Sequence, residues 1–158
     1  MRGVFLSHVE KQLDAKRRLL IPQDFRTTAN SGSAGPKAAT PDAFEGVYCF
    51  ASIEADCLEG GGAEFFDRYR QLIESYAVGS PARRALEHKI YGGMHRLSFD
   101  AAGRITLPDS LCLKFGLSDK ALIVGLYDRF QIWEPTAYAA YQAEQDQLAR
   151  EVLSQRGA

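Results

Sequence analysis

The chain has 158 residues, 46% of them hydrophobic and 25% charged, with a formal net charge of −1. This suits one globular domain or two half-sized repeats and excludes a fibre or a disordered chain. The longest apolar runs span a handful of residues, which excludes a membrane-crossing helix; no signal-peptide core is present, and three cysteines without Cys-x-x-Cys spacing argue against a disulfide framework or a zinc site, so a reducing cytoplasm is the expected compartment.

In chain order, residues 3–13 are an extended candidate, followed by Asp14-Ala-Lys-Arg-Arg18-Leu-Leu-Ile-Pro22. Leu19 and Ile21 sit two apart and share one strand face, which turns Arg18 and Leu20 to the other. Aspartate is a good acceptor for turn amides, so Asp14 to Arg18 reads as a tight hairpin turn, and Pro22 ends the strand and enters a short helix. Residues 31–41 are a small-residue loop, Val47 to Phe50 a strand, and Gly60-Gly61-Gly62 a loop breaker. Phe65, Phe66, Tyr69, Leu72, Ile73 and Tyr76 then fall at helical spacing, predicting an amphipathic helix over 63–78. Ser80-Pro81 opens a second helix to about residue 91.

The first pattern then returns as Asp100-Ala-Ala-Gly-Arg104-Ile-Thr-Leu-Pro108, 86 positions after the first. Two copies so far apart indicate a duplicated unit and not a solenoid. Ile105 and Leu107 take the core face, Arg104 and Thr106 the other, and Gly103 gives the second turn access to positive φ. Residues 130–133 form a late strand, and residues 135–155 a last helix with Tyr138, Tyr141, Leu148 and Val152 along one side. The organisation expected is a first repeat at 7–54, a helical connector at 55–92, a second repeat at 93–136 and a C-terminal helix at 137–158.

Charge is segregated along this order. Residues 1–29 carry six basic and three acidic side chains, residues 41–78 two basic and eight acidic, and residues 79–109 five basic and three acidic. A nearly neutral protein can thereby hold a locally positive face that attracts polyanions. Enzyme chemistry finds no footing. His8, His88 and His95 make no metal-ligand pair, the glycine run is not a phosphate-binding loop, and His95, Ser98 and Asp100 on one short strand cannot converge as a triad. No catalytic residue, metal, cofactor or small-molecule substrate is expected.

The doubled Asp-x-x-x-Arg-x-x-x-Pro motif, with Leu122-Ile-Val-Gly125 and Arg129-Phe-Gln-Ile-Trp-Glu134, resembles the MraZ family of bacterial transcriptional regulators over nearly the whole chain. The resemblance implies an α+β fold: a duplicated swapped-hairpin, AbrB-like β-barrel pseudo-dimer with flanking helices. It also implies sequence-specific binding of double-stranded DNA at repeated promoter boxes, upstream of a division and cell-wall gene cluster that includes the protein's own gene. The implied assembly is a ring-like homo-oligomer, cytoplasmic and associated with the nucleoid. Carried onto this sequence, the DNA-binding residues are Arg18 and Arg104 with Lys16 and Arg17 beside the first, held by Asp14, Pro22, Asp100, Gly103 and Pro108. The first copy departs from the family pattern, with Arg17 where glycine is usual, and the loop over 27–41 is longer than the family norm. Ala102 stands where the first copy has Lys16, so the first turn is expected to dominate DNA contact. The alternative is a non-enzymatic, ring-forming interaction scaffold.

Overall fold

Each Asp-Ala-x-x-Arg stretch reverses the chain between two short strands in the computed structural model, which describes residues 3–31 and 44–157. In the first half β1 (His8–Gln12) turns at Asp14 into β2 (Arg18–Leu20), which leads through Pro22 into α1 (Gln23–Ser31). The second half repeats this with β5 (His95–Ser98), β6 (Arg104–Thr106) and α4 (Asp109–Phe115). Pro108 is the residue flanking α4 on its N-terminal side, with φ −60°, one step before the position expected for it.

The remaining strands are β3 (Gly46–Ala51), β4 (Leu58–Gly61), β7 (Lys120–Gly125) and β8 (Phe130–Trp133). They assemble with β1 and β5 into a six-stranded antiparallel sheet in the order β1-β7-β8-β4-β3-β5, while β2 and β6 form a separate two-stranded ladder. Strand pairing crosses between the halves: His8 of β1 lies opposite Val124 of β7, Gly46 of β3 opposite Ser98 of β5, and Leu19 of β2 opposite Ile105 of β6. The expected barrel is not closed by hydrogen bonds. After the Asp14 turn the returning chain forms the isolated bridge Leu13 to Leu19 just beyond β1, and β2 gives its ladder to β6.

The alternation read from the sequence sets the core. Leu19, Ile21, Ile105 and Leu107 are buried in one cluster with Leu13, Ile123 and Phe130, so these four face inward, while Leu20 and Thr106 between them are exposed and Arg18 and Arg104, on the same side, are half-buried. Phe5, Phe25 and Phe130 add edge-on ring contacts 5.2 and 5.3 Å apart.

Three expectations are corrected. Gly60 and Gly61 do not break the chain; they lie in β4, in the middle of the sheet. A Cβ on Gly60 would stand 2.8 Å from the Phe130 ring and one on Gly61 2.5 Å from Phe65, so the glycines admit close packing where a loop was expected. The stretch expected to be a helical connector therefore opens on a central strand. Thr27 to Ser31, assigned to the long loop, are the end of α1; the rest of that loop lies outside the described residues.

The helices fall where periodicity put them: α2 (Ala63–Glu74), α3 (Pro81–Leu86) running into a π-helical turn at Glu87–Tyr91, and α5 (Pro135–Arg156). Ser80 starts α3 by accepting the Arg83 N–H at 3.2 Å, with Pro81 in the first turn. The aromatic stripe of α2 is largely covered within the chain, since Phe65 and Ile73 are buried with Phe50 and Ile90. On α5, Tyr138 and Tyr141 pack on Trp133, while Leu148, Val152 and Leu153 further along are exposed. Among the described residues no helix is long and apolar enough to cross a membrane.

Candidate nucleic-acid interface

The two turns are built alike, bond for bond. Asp14 Oδ1 accepts the backbone N–H groups of Lys16 at 3.0 Å and Arg18 at 2.8 Å, and Oδ2 accepts Arg18 Nε at 2.7 Å. Asp100 Oδ1 accepts the N–H groups of Ala102 at 3.0 Å and Arg104 at 2.8 Å, and Oδ2 accepts Arg104 Nε at 2.8 Å. The backbone N–H of Arg18 chiefly holds the Asp14 carboxyl below the usual carboxylate range, against a raising effect of partial burial, and its guanidinium adds to this. Asp100 is held low in the same way by the Arg104 backbone N–H.

Pairing of β2 with β6 sets Arg18 opposite Thr106 and Leu20 opposite Arg104, which brings the turns side by side. Arg104 Nη1 reaches within 3.9 Å of Asp14 Oδ2, so both guanidinium groups gather around one carboxylate. Each is fixed through Nε and remains a third exposed. A guanidinium anchored in this way loses little freedom when it meets a planar pair of acceptors.

Both turns hold a positive φ at the same position but fill it with different residues, and each choice is matched by what packs against it. Arg17 has φ +63° where the second turn has Gly103 at φ +87°. Arg17 Nε donates to Asp109 Oδ1 at 2.7 Å, beside Cys112. At the other turn, the space that a Gly103 Cβ would fill is occupied by the Arg26 guanidinium, with Cζ 2.5 Å from that position, while Arg26 Nη1 donates to the Ile21 carbonyl. Arg26 and Cys112 each lie four residues after their motif proline, so a large turn residue faces a small helix residue in one half and the reverse holds in the other.

Lys16, Arg17, Arg18 and Arg104 are thus brought onto adjoining turns, with Asp14 and Asp100 as their frames. Lys16 has no side-chain partner among the described residues, and Arg17 is paired with Asp109. Sequence reasoning missed Arg26, which forms no ion pair among the described residues and puts a cation on the turn that Ala102 leaves bare. The signal was the shared offset from the prolines, but that offset shows no contact until the halves are paired.

Comparison with known proteins gives this arrangement a family. Residues 90–157 match the MraZ protein family model. The chain is 57% identical over 152 residues to the protein called "Transcriptional regulator MraZ" in Phenylobacterium zucineum (strain HLK1), covering 96% of this chain and 88% of that one. The chain belongs to the MraZ family. The MraZ protein of Caulobacter vibrioides (strain NA1000 / CB15N) is 53% identical over 151 residues, with 96% and 90% covered. That of Xanthobacter autotrophicus is 36% identical over 148 residues, with 94% and 88% covered.

One polar cluster in this MraZ chain lies away from the turns. Glu59, fully buried in β4, accepts the Tyr69 hydroxyl at 2.6 Å and the Ser52 hydroxyl at 3.1 Å, and Arg129 Nε stands 3.6 Å from it. Arg129 also reaches Glu54 at 3.2 Å and Asp128 at 2.9 Å. Burial first, then the bond to Glu59, pushes the Tyr69 phenol up, and burial pushes the Cys49 thiol up to about 12, so neither is poised to react near neutrality. Among the described residues no group of three or more His, Cys, Asp or Glu is placed to hold a metal ion.

Proposed function

We propose that this protein is a transcriptional regulator that binds double-stranded DNA sequence-specifically through the paired Asp14 and Asp100 turns. The observation that carries this reading is the duplication itself: two arginines, each fixed through Nε by an aspartate of its own turn and set side by side on an outward face. Arg18 and Arg104 are suited to bidentate contact with guanine O6 and N7, and Lys16 to a phosphate. The names of the relatives, transcriptional regulators, support the same reading. The crossed strand pairs β1·β7, β3·β5 and β2·β6 support a pseudo-dimer of two swapped-hairpin units.

The targets proposed are repeated boxes upstream of the protein's own gene and the division and cell-wall cluster around it, which places the bound protein on the nucleoid. One chain offers few contacts. A ring-like homo-oligomer presenting the same face to successive boxes would raise affinity through effective concentration, and the exposed apolar residues of α5 are available for its assembly. Lys16→Ala should reduce the slope of log K against log salt by about 0.9 for the lost phosphate contact, on a duplex covering the region just upstream of the coding sequence. A slope equal to that of the unaltered protein would remove Lys16 from the interface.

A further inference from the structure

We propose that Asp109 restrains DNA affinity by neutralising Arg17, so that this carboxylate and not the turn alone sets how many phosphates the first turn can engage. The inference rests on the DNA-binding reading above. Asp109 is 88% exposed in its side chain, Arg17 37%, and their contact at 2.7 Å spans 92 positions of sequence. The other two aspartates of the face each accept two backbone N–H groups and so build their turns. Asp109 accepts no backbone N–H among the described residues, and Arg17 is its one side-chain partner there. The equivalent position after Pro22 is Gln23, and the first-turn acid of α1 is Asp24, one residue further on, so the first half places its helix-start carboxylate at a different step from Asp109.

An exposed ion pair is weak in water, and a phosphate can compete for Arg17. The carboxylate nevertheless stays beside the turn and repels that phosphate. Without it, Arg17 lies between Lys16 and Arg18 as an additional free cation.

The test is a salt titration of binding to the upstream duplex by the full chain. Asp109→Asn should steepen the slope of log K against log salt by about 0.9, an added loss of about 3.5-fold between 50 and 200 mM salt, and should bind more tightly at the lower concentration. The gain should vanish in the double variant Asp109→Asn/Arg17→Gly, which returns the first turn to glycine. Asp56→Asn, in the exposed loop between β3 and β4, changes net charge equally and should leave the slope alone, which separates local pairing from overall charge. Thermal melts of each variant establish that all are folded. An unchanged slope in Asp109→Asn, or a gain that survives in the double variant, overturns the inference. If Lys16→Ala still flattens the slope in that case, the DNA-binding reading stands; if the unaltered protein shows no salt-dependent binding, both fall.

Discussion

Replacing Arg18 and Arg104 together by alanine should reduce affinity for the upstream duplex by about 2 to 6 kcal/mol, taking about 1 to 3 kcal/mol for each lost base or phosphate contact. The two effects should not add cleanly, since both guanidinium groups gather at Asp14, with Arg104 Nη1 3.9 Å from its Oδ2. The fold should persist. Both side chains face away from the core, and Asp14 and Asp100 keep their backbone bonds to Lys16, Arg18, Ala102 and Arg104. Arg18→Lys is informative beside this: it keeps the charge but loses the planar fork, so the salt slope should hold while discrimination between duplexes falls. Isothermal titration of the double-alanine protein checks the first result, and affinity equal to that of the unaltered protein would show that the turns are architecture alone.

Glu59→Ala should cost about 3 to 5 kcal/mol of stability, the range for removing one partner of a buried charged network. The loss leaves the Tyr69 and Ser52 hydroxyls without their acceptor, and it opens a void in the central strand. Arg129 retains Glu54 and Asp128, so Glu59→Gln, which preserves shape, should cost less. Chemical denaturation monitored by circular dichroism gives both values. A midpoint for Glu59→Ala equal to that of the unaltered protein would mean that Tyr69 and Ser52 are satisfied without Glu59.

What could be read from the sequence followed from local rules. Aspartate caps its own turn within four residues, Leu19 and Ile21 alternate with Arg18 and Leu20, and the apolar residues of α2 recur at helical spacing. These features need no knowledge of what lies opposite. The misreadings depended on what lies opposite. Three consecutive glycines signal a break when read alone, but Gly60 and Gly61 make room for Phe130 and Phe65 from distant elements. The partner of Arg17 was not legible because Asp109 is 92 positions away, and the cation beside the second turn was not legible because Arg26 meets Gly103 across the two halves. What covers the α2 stripe could not be read locally, because Phe50 and Ile90 belong to other elements. The duplicated motif did not show which strands pair, β1 with β7 and β3 with β5, and the barrel implied by the resemblance is a closure that the open sheet does not have.

The central claim, that the paired turns read DNA, is tested most directly by a footprint on the region upstream of the protein's own coding sequence, with the unaltered protein and the Arg18→Ala/Arg104→Ala variant side by side. Protection of short, regularly repeated boxes by the unaltered protein, lost in the variant at equal concentration, is the predicted result. No protection at any concentration, or identical protection by both proteins, would contradict it.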